Sequence, residues 1–224
     1  MALVPCAGSG QRAGQAGPKQ YARLAGRAVV AHTLQALAAV PELHGTLVVL
    51  APEDHEFEAQ VPFFRGERAW VARCGGATRA ASVAAGLAEL GQHGVREDDW
   101  VLVHDAARCL LRPAWVQALV RACLGDAVGG LLALPLADTL KDSRAGRVSA
   151  TLPRDGKWMA QTPQMFRLGL LRRALAQAGA GVTDEASAVE ALGYAPLLVP
   201  GALENFKLTY PDDFALAERL LETR

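Results

Sequence analysis

Near the middle of the chain stands the stretch Val101-Leu102-Val103-His104-Asp105-Ala106-Ala107-Arg108, in which an apolar run passes directly into a charged one. A strand that is apolar at successive positions is typical of a parallel sheet with helices on both faces, since a sheet with one wet face alternates apolar and polar side chains. In such sheets, ligands bind beyond the carboxyl ends of the strands. The stretch therefore predicts an α/β fold. It also predicts that the functional site lies at the edge of the sheet where the strands have their carboxyl ends.

The rest of the chain extends this pattern, because short apolar runs alternate with segments of helical spacing. The other apolar runs are Leu3 to Cys6, Thr46 to Ala51, Ala69 to Ala72, Gly130 to Leu134 and Ala195 to Val199. The helical stripes lie at Val30, Leu34 and Leu37, at Val83, Leu87 and Leu90, at Val116, Leu119 and Val120, and at Phe214, Ala217 and Leu221. We predict a doubly wound, mostly parallel sheet with crossover helices.

The segment 135–158 departs from the alternation, since it is polar, contains Gly146 and Gly156, and has no helical stripe. We predict an extended β-arm there. Because a short strand pair is marginal on its own, the arm is expected to pack against a second copy of the chain. The predicted organisation is one domain over residues 1–224, with 135–158 as a protruding dimerisation arm.

Composition and charge exclude several classes of function. The 224 residues carry 23 Lys+Arg and 23 Asp+Glu, so no excess charge is available for binding nucleic acid or a membrane surface non-specifically. Four cysteines, Cys6, Cys74, Cys109 and Cys123, show neither zinc-ligand nor disulfide-framework spacing. With no basic leader and no apolar run of about 18 residues, we expect a soluble, cytoplasmic protein.

Small residues and cations follow the first predicted strand. The loop Pro5-Cys6-Ala7-Gly8-Ser9-Gly10-Gln11-Arg12-Ala13 is followed by Gly17-Pro18-Lys19-Gln20. Small side chains let backbone N–H groups approach a polyphosphate, and Arg12 and Lys19 supply the cations that a phosphoryl transition state needs. The loop is neither a Walker loop nor a Rossmann fingerprint. It is a candidate site for a nucleoside triphosphate, and the alternative is a glycine-rich turn with two solvated cations.

Two further clusters lie where strands are predicted to end. The segment from Gly75 to Ser82 opens a helix and offers room for a base or ribose, although Thr78 as a helix N-cap explains the same residues. In the segment after Val103, Asp105 is able to hold a divalent cation while Arg108 grips phosphate. The alternative is an ion pair between Asp105 and Arg108 across a turn.

Weaker signals follow at Asp138 to Lys141, Arg154-Asp155, Thr162-Pro163-Gln164, Thr183 to Ser187 and Asn205 to Thr209. Singly, each has an ordinary explanation: Asp184 is a good helix N-cap, Thr162 precedes a turn proline, and Lys207 fits an exposed strand. As an ordered set with the Gly8 loop, Lys19 and the segment around Asp105, they resemble the 2-C-methyl-D-erythritol 4-phosphate cytidylyltransferases of the non-mevalonate isoprenoid pathway. The resemblance runs from the first strand to the final helix.

This resemblance implies a glycosyltransferase-A-like nucleotidyltransferase fold. It also implies a magnesium-dependent reaction in which CTP and methylerythritol phosphate give the CDP-alcohol and pyrophosphate, and a homodimer whose arms complete each other's sites. The acceptor of this reaction is already an anionic phosphate monoester, so charge neutralisation and in-line positioning suffice without a strong general base.

The expected residue roles also come from the resemblance. Arg12, Lys19 and Asp105 are the expected catalytic residues, and Asp105 is also the expected metal ligand. The expected contacts to CTP come from Ala7, Gly8, Ser9, Gly10, Gly76 and Ser82. The expected contacts to the acceptor come from Arg108, Thr139, Arg154, Thr162, Thr183 and Lys207, with Thr139 and Arg154 reaching over on the arm of the second copy.

Ala77 and Cys109 depart from the family pattern, since many relatives are acidic at the first position and carry proline at the second. Alternatives stay open, namely a cytidylyltransferase for another polyol phosphate such as ribitol 5-phosphate, a sugar-1-phosphate nucleotidyltransferase, and a nucleotide-binding module without turnover. Cys6 has no His near it in sequence, so we interpret it as a buried packing residue and not as a nucleophile.

Overall fold

The computed structural model describes residues 1–8, 17–178 and 182–223. Its central sheet is formed by β1 (Ala2–Pro5), β4 (Thr46–Val49), β5 (Ala69–Ala72), β6 (Trp100–Val103), β7 (Gly129–Pro135), β10 (Trp158–Arg167) and β11 (Leu197–Pro200). The strand order is β11-β7-β10-β6-β1-β4-β5. Neighbouring strands are parallel except where β10 pairs antiparallel with β6 and β7. The expected mostly parallel α/β sheet is confirmed.

Helices pack on both faces of this sheet. They are α1 (Val29–Ala38), α2 (Phe57–Gln60), α3 (Arg79–Gln92), α4 (Pro113–Leu124), α5 (Leu168–Gln177), α6 (Glu185–Ala191) and α7 (Pro211–Glu222). In β1, Val4 belongs to the core with α1 and α4, whereas Leu3 belongs to the core with α3, α5 and α6. Both side chains are fully buried, which is why successive positions of the strand are apolar.

The predicted helical stripes coincide with α1, α3, α4 and α7, and most of their side chains are buried. The longest helix in the described part of the chain, α3, has 14 residues, which is shorter than the ~20 that a membrane-spanning helix needs. No helix of the described residues therefore qualifies as a membrane span.

Strand β10 is the strand of the central sheet that the apolar runs do not predict. Pro163 lies inside this strand and not in a turn. A proline has no backbone N–H for a sheet ladder and is tolerated at a bulge, and the pairing of β10 with β7 shifts register between Ala160 and Gln164. The irregular pairing leaves no simple alternation that could mark the strand in the sequence.

The predicted arm is an exposed β-hairpin. It consists of β8 (Leu140–Arg144) and β9 (Arg147–Leu152), which form a two-stranded sheet of their own. The connecting residues Ala145 and Gly146 have φ values of 51° and 74°, the left-handed conformation that a tight two-residue hairpin turn requires. The hairpin is shorter than the predicted segment, because Pro135 and Trp158 belong to β7 and β10 of the central sheet. A second small hairpin joins β2 (Arg23–Leu24) to β3 (Arg27–Ala28).

Candidate active site

A cleft of about 410 Å³ opens at the carboxyl ends of β1, β5 and β6, at the edge where ligands are expected. The loops that follow these strands supply most of its lining, which comprises Pro5, Cys6, Ala7, Gly8, Lys19, Gln20, Gly76, Ala77, Thr78, Arg79, Ser82, Asp105, Ala106, Ala107 and Lys207. The three sequence clusters therefore meet in one cleft.

Asp105 carries the negative charge of this cleft and is surrounded by cations. Its Oδ1 lies 2.7 Å from Arg79 Nε, and its Oδ2 lies 2.9 Å from Lys207 Nζ and 3.8 Å from Arg108 Nε. Burial alone raises the pKa of Asp105, but the charges of Arg79, Lys207 and Arg108 outweigh it and hold the pKa well below its usual range. The carboxylate is therefore ionised, and its stronger partners are residues distant in sequence, not Arg108 across the turn.

Arg79 has no role in the sequence-based prediction, yet it joins the cleft to a second buried carboxylate. Its two terminal nitrogens donate to both oxygens of Glu185, at 2.6 and 2.9 Å. Arg79 is the first residue of α3, and a helix N-terminus disfavours a cation. An arginine at that position was the available signal that acidic partners lie opposite it.

Behind the cleft, His104 and Thr162 fix the backbone that carries Asp105. His104 is fully buried, and burial lowers its pKa to about 4, so the imidazole is neutral. Its Nε2–H donates to the Arg108 carbonyl at 3.1 Å, which leaves Nδ1 to accept the Thr162 hydroxyl at 3.1 Å. The same hydroxyl oxygen accepts the Asp105 N–H at 3.0 Å. Thr162 thus supports Asp105 from behind and does not line the cleft.

Asn205 ties the segment of Lys207 to β10. Its Nδ2 donates to the Thr162 carbonyl at 2.8 Å and to Gln161 Oε1 at 3.2 Å. The backbone carbonyl of Asn205 accepts a hydrogen bond from the Arg108 guanidinium at 2.6 Å. These contacts hold Arg108 just outside the cleft lining and keep Lys207 within reach of Asp105.

Lys19, which also lines the cleft, joins the nucleotide-loop candidate to the same C-terminal segment. Its Nζ donates to the Leu208 carbonyl at 2.6 Å. The neighbouring Gln20 donates to the Cys6 carbonyl at 3.0 Å. Cys6 is buried, and burial raises the pKa of its thiol. The interpretation of Cys6 as a packing residue agrees with this environment.

The glycine segment before α3 is held in shape by two hydroxyl groups. Thr78 Oγ1 accepts the Ala81 N–H at 3.1 Å, so the predicted N-cap is present. Ser82 Oγ accepts the Gly76 N–H at 3.1 Å and donates to the Thr78 carbonyl at 3.0 Å. The segment is therefore a capped helix start and a wall of the cleft at once, so neither interpretation excludes the other.

Three predicted nucleotide-loop residues, Ser9, Gly10 and Arg12, lie outside the described residues. Of the two family-variable positions, Ala77 lines the cleft and Cys109 is buried away from its lining.

Besides Thr162 and Arg108, three more predicted acceptor residues do not line the cleft within one chain. Thr139 and Arg154 are exposed beside the hairpin, where Arg154 donates to the Ala137 carbonyl. Thr183 is exposed just before α6, and its N–H donates to Ser187 Oγ at 3.2 Å. Neither Thr139 nor Arg154 lines the cleft of its own chain.

Comparison with known proteins shows which family this chain belongs to. The family profile described as IspD: 2-C-methyl-D-erythritol 4-phosphate cytidylyltransferase matches residues 1–223. The chain belongs to this family. The 2-C-methyl-D-erythritol 4-phosphate cytidylyltransferase of Paraburkholderia phymatum is 55% identical over 226 residues, which cover 98% of this chain and 95% of that protein. The predicted family resemblance is confirmed.

Other members differ in length and support the same fold. The bifunctional enzyme IspD/IspF of Albidiferax ferrireducens is 60% identical over 223 residues, and the chain spans only 53% of its length. A crystal structure of 4-diphosphocytidyl-2C-methyl-D-erythritol synthase superposes with a TM-score of 0.87 at 43% identity, over 98% of this chain and 96% of that one. The cytidylyltransferase family therefore accounts for the nucleotidyltransferase fold seen here.

Proposed function

We propose that this cytidylyltransferase joins CTP to 2-C-methyl-D-erythritol 4-phosphate and releases pyrophosphate, as a step of isoprenoid precursor biosynthesis. The observation that carries the proposal is the cation cluster of Lys19, Arg79, Arg108 and Lys207 around a cleft with Asp105 as its lining carboxylate in the described part of the chain. Two anionic phosphate substrates repel each other, and fixed cations offset that repulsion.

In the proposed reaction, an oxygen of the acceptor phosphate attacks the α-phosphorus of CTP. The bond from the α-phosphorus to the bridging oxygen breaks, and pyrophosphate leaves with the electron pair. Lys19 stabilises the charge that builds on the α-phosphoryl group and the leaving pyrophosphate, and we predict the same role for Arg12. No proton has to be removed from the attacking oxygen, which agrees with a neutral, fully buried His104 that takes no part in proton transfer.

In this proposal, different residues contact the nucleotide and the acceptor. The backbone of Ala7 and Gly8, with Ser9 and Gly10, contacts the CTP phosphates, and Gly76 and Ser82 contact the cytosine. The acceptor meets Arg108, Lys207 and Thr183, whereas Thr162, which the sequence also assigned to the acceptor, does not line the cleft. Because the Thr162 hydroxyl already bonds to Asp105 and His104, we propose that it acts by holding Asp105.

Magnesium is the proposed cofactor, with Asp105 as its protein ligand. No cluster of three potential metal-binding His, Cys, Asp or Glu side chains occurs among residues 1–8, 17–178 and 182–223. Mg²⁺ commonly binds through one or two carboxylates plus substrate phosphates and water, so a single ionised carboxylate in the cleft lining fits that ion. In this structure the two oxygens of Asp105 contact Arg79 and Lys207, and Mg²⁺ would share the carboxylate with these cations. When bound, Mg²⁺ supplies further neutralisation of the phosphate charge.

The arm is the proposed dimer contact, and the organisation is one domain over residues 1–224. Apolar side chains on and beside the hairpin are exposed, with relative exposures of 65% for Val148, 41% for Leu152 and 39% for Trp158. Exposed apolar side chains grouped in this way are typical of an interaction surface. A homodimer would cover them and would carry Thr139 and Arg154 to the acceptor of the other copy. A cytoplasmic location is proposed because Cys6, Cys74, Cys109 and Cys123 form no disulfide.

Pyrophosphate release tests the proposed function directly. The chain would be mixed with CTP and Mg²⁺, and with methylerythritol 4-phosphate, ribitol 5-phosphate or no acceptor. We expect rapid release with methylerythritol 4-phosphate and little in the other two mixtures. Preference for ribitol 5-phosphate would move the chain to the other acceptor class, and CTP binding without release in any mixture would make it a nucleotide-binding module.

A further inference from the structure

Arg79 binds two buried carboxylates at once, and the proposed reaction assigns no role to this arrangement. Its Nε donates to Asp105 at 2.7 Å, and its terminal nitrogens donate to Glu185 at 2.6 and 2.9 Å. An arginine has five N–H donors in a rigid planar fork. Three of them are used here to bind two carboxylates, which fixes the guanidinium plane between them.

Glu185 is an anchor and not a substrate contact. Its side chain is 1% exposed, and it does not line the cleft. A buried carboxylate is costly unless it is paired with a cation, and Arg79 supplies two charge-assisted hydrogen bonds to it. Glu185 begins α6, whose start is itself fixed, because Gln164 Oε1 accepts the Ala186 N–H at 2.7 Å.

A rigid chain of contacts therefore leads from the sheet to the reacting groups. It runs from Gln164 in β10 through the start of α6 to Glu185, then through Arg79 to Asp105. Since Arg79 holds Oδ1 of Asp105, the other oxygen, Oδ2, faces Lys207 at 2.9 Å. The orientation of the Asp105 carboxylate thus also determines where the Lys207 ammonium lies.

We infer that Arg79 is a positioning residue for the transfer reaction. Glu185 anchors Arg79, and Arg79 in turn fixes the orientation of the Asp105 carboxylate and, through it, the position of Lys207. The two phosphate substrates then meet groups that are already in place. This inference rests on the proposed function. Arg79 lines the cleft, so direct binding of the nucleotide is the competing role, and the kinetic constants separate the two.

The test compares Arg79→Ala with wild type and with Arg73→Ala as a matched control. Arg73 also pairs with both oxygens of one carboxylate, Glu58, but it lies outside the cleft lining. We expect Arg79→Ala to lower kcat about 10²-fold, the scale of misplaced reacting groups, with KM for each substrate within about threefold of wild type. Arg73→Ala should leave both constants unchanged.

Chemical rescue gives a readout that a merely structural role would not move. Alanine leaves a space between the two carboxylates, and methylguanidinium at millimolar concentration is expected to restore kcat at least tenfold in Arg79→Ala. It should have no effect on Arg73→Ala. If Arg79→Ala fails to fold, Arg79→Lys keeps the charge but not the planar fork, and we expect it to fold and to lose about tenfold in kcat.

A double-mutant cycle tests the anchoring by Glu185. Glu185→Gln should lower kcat in the wild-type background and have a much smaller effect in the Arg79→Ala background, because Glu185 acts through Arg79. If Glu185→Gln lowered kcat equally in both backgrounds, Glu185 would not act through Arg79 and the inferred anchoring role would be wrong.

Other results would also overturn the inference. A raised KM for CTP at unchanged kcat would make Arg79 a nucleotide-binding residue, and unchanged constants with a lower Tm would make it purely structural. Wild-type protein that releases no pyrophosphate would overturn the proposed function itself, and this inference with it.

Discussion

At the scale of single residues, the number of cationic partners determines the state of a buried carboxylate. Asp105 and Glu185 are both buried, and both contact Arg79. Burial raises the pKa of Glu185 beyond what Arg79 offsets, whereas Arg79, Lys207 and Arg108 together lower the pKa of Asp105. The carboxylate that lines the cleft is therefore the one whose ionised form the surrounding cations favour most, which suits a group expected to meet cations and a metal ion.

Lys19→Ala is expected to reduce turnover by about 10²-fold or more, because it removes one preorganised charge-stabilising donor. Single-turnover measurements of pyrophosphate release would check the chemical step. Lys141→Ala serves as the control, since Lys141 is an exposed lysine of the hairpin whose Nζ donates to Thr151. Near-normal turnover of Lys19→Ala would contradict the role assigned to this lysine.

At the scale of elements, the hairpin of β8 and β9 combines a rigid turn with little burial. Its tight turn at Ala145 and Gly146 aligns the two strands, yet nearly every side chain of the hairpin is exposed. Two strands alone are marginal in water. The element is therefore expected to gain its stability, and its function, from a second copy of the chain.

Val148→Asp is expected to weaken dimerisation, because it places a charge on the exposed apolar side of the hairpin. Sedimentation at micromolar concentration would detect the monomer, and turnover should fall in step with the dimer fraction. Leu124→Asp is a suitable control, since Leu124 is also exposed, at 57%, but lies on α4. A monomeric wild-type protein with full activity would rule out a shared site.

Arg154→Ala is expected to raise KM for the acceptor about tenfold, with little change in KM for CTP. The reason is the proposed loss of a charge-assisted hydrogen bond to the acceptor phosphate of the other copy. Arg147→Ala, in the adjoining hairpin, should change neither constant. Steady-state kinetics with each substrate varied in turn provides the test, and equal effects on both KM values would argue against an acceptor-binding arm.

At the scale of the whole molecule, helices on both sides of the sheet create two cores that bury polarisable side chains as well as aliphatic ones. Cys6 and Cys123 belong to the core of α1 and α4. Burial raises the pKa of Cys123 to about 12 and also raises that of Cys6. Folding therefore keeps protons on thiols that would ionise in an unfolded chain.

The free energy of unfolding is accordingly expected to fall above pH 9, the ordinary pKa of the Cys123 thiol. Between that pH and about 12, the unfolded chain has lost a proton that the folded chain still holds, so rising pH favours unfolding by up to about 1.4 kcal/mol per pH unit for each such thiol. Urea unfolding at pH 8 and pH 10 would measure the loss, which should be about 1 kcal/mol smaller in Cys123→Ala. Equal losses in both proteins would show that this thiol titrates normally in the folded state.

The sequence alone was sufficient to predict the fold class and most of the cleft. Apolar runs and helical stripes are local patterns, because strand and helix geometry impose them on neighbouring residues. The placement of polar clusters at strand ends follows from the topology of parallel sheets. For this reason, Gly8, Gly76 and Asp105 line one cleft, and so does Lys207, which the family resemblance and not the strand pattern predicted.

Only the tertiary structure decided which distant groups meet. Strand β10 enters antiparallel between β6 and β7, and its register brings the Thr162 hydroxyl to the Asp105 N–H. Arg79 and Glu185 pair although 106 positions separate them along the chain. Such a pair depends on how every intervening element packs, so the sequence does not show which acidic residue Arg79 meets. The charge and orientation of Asp105, which depend on that packing, were therefore decided by the fold and not by the motif that contains it.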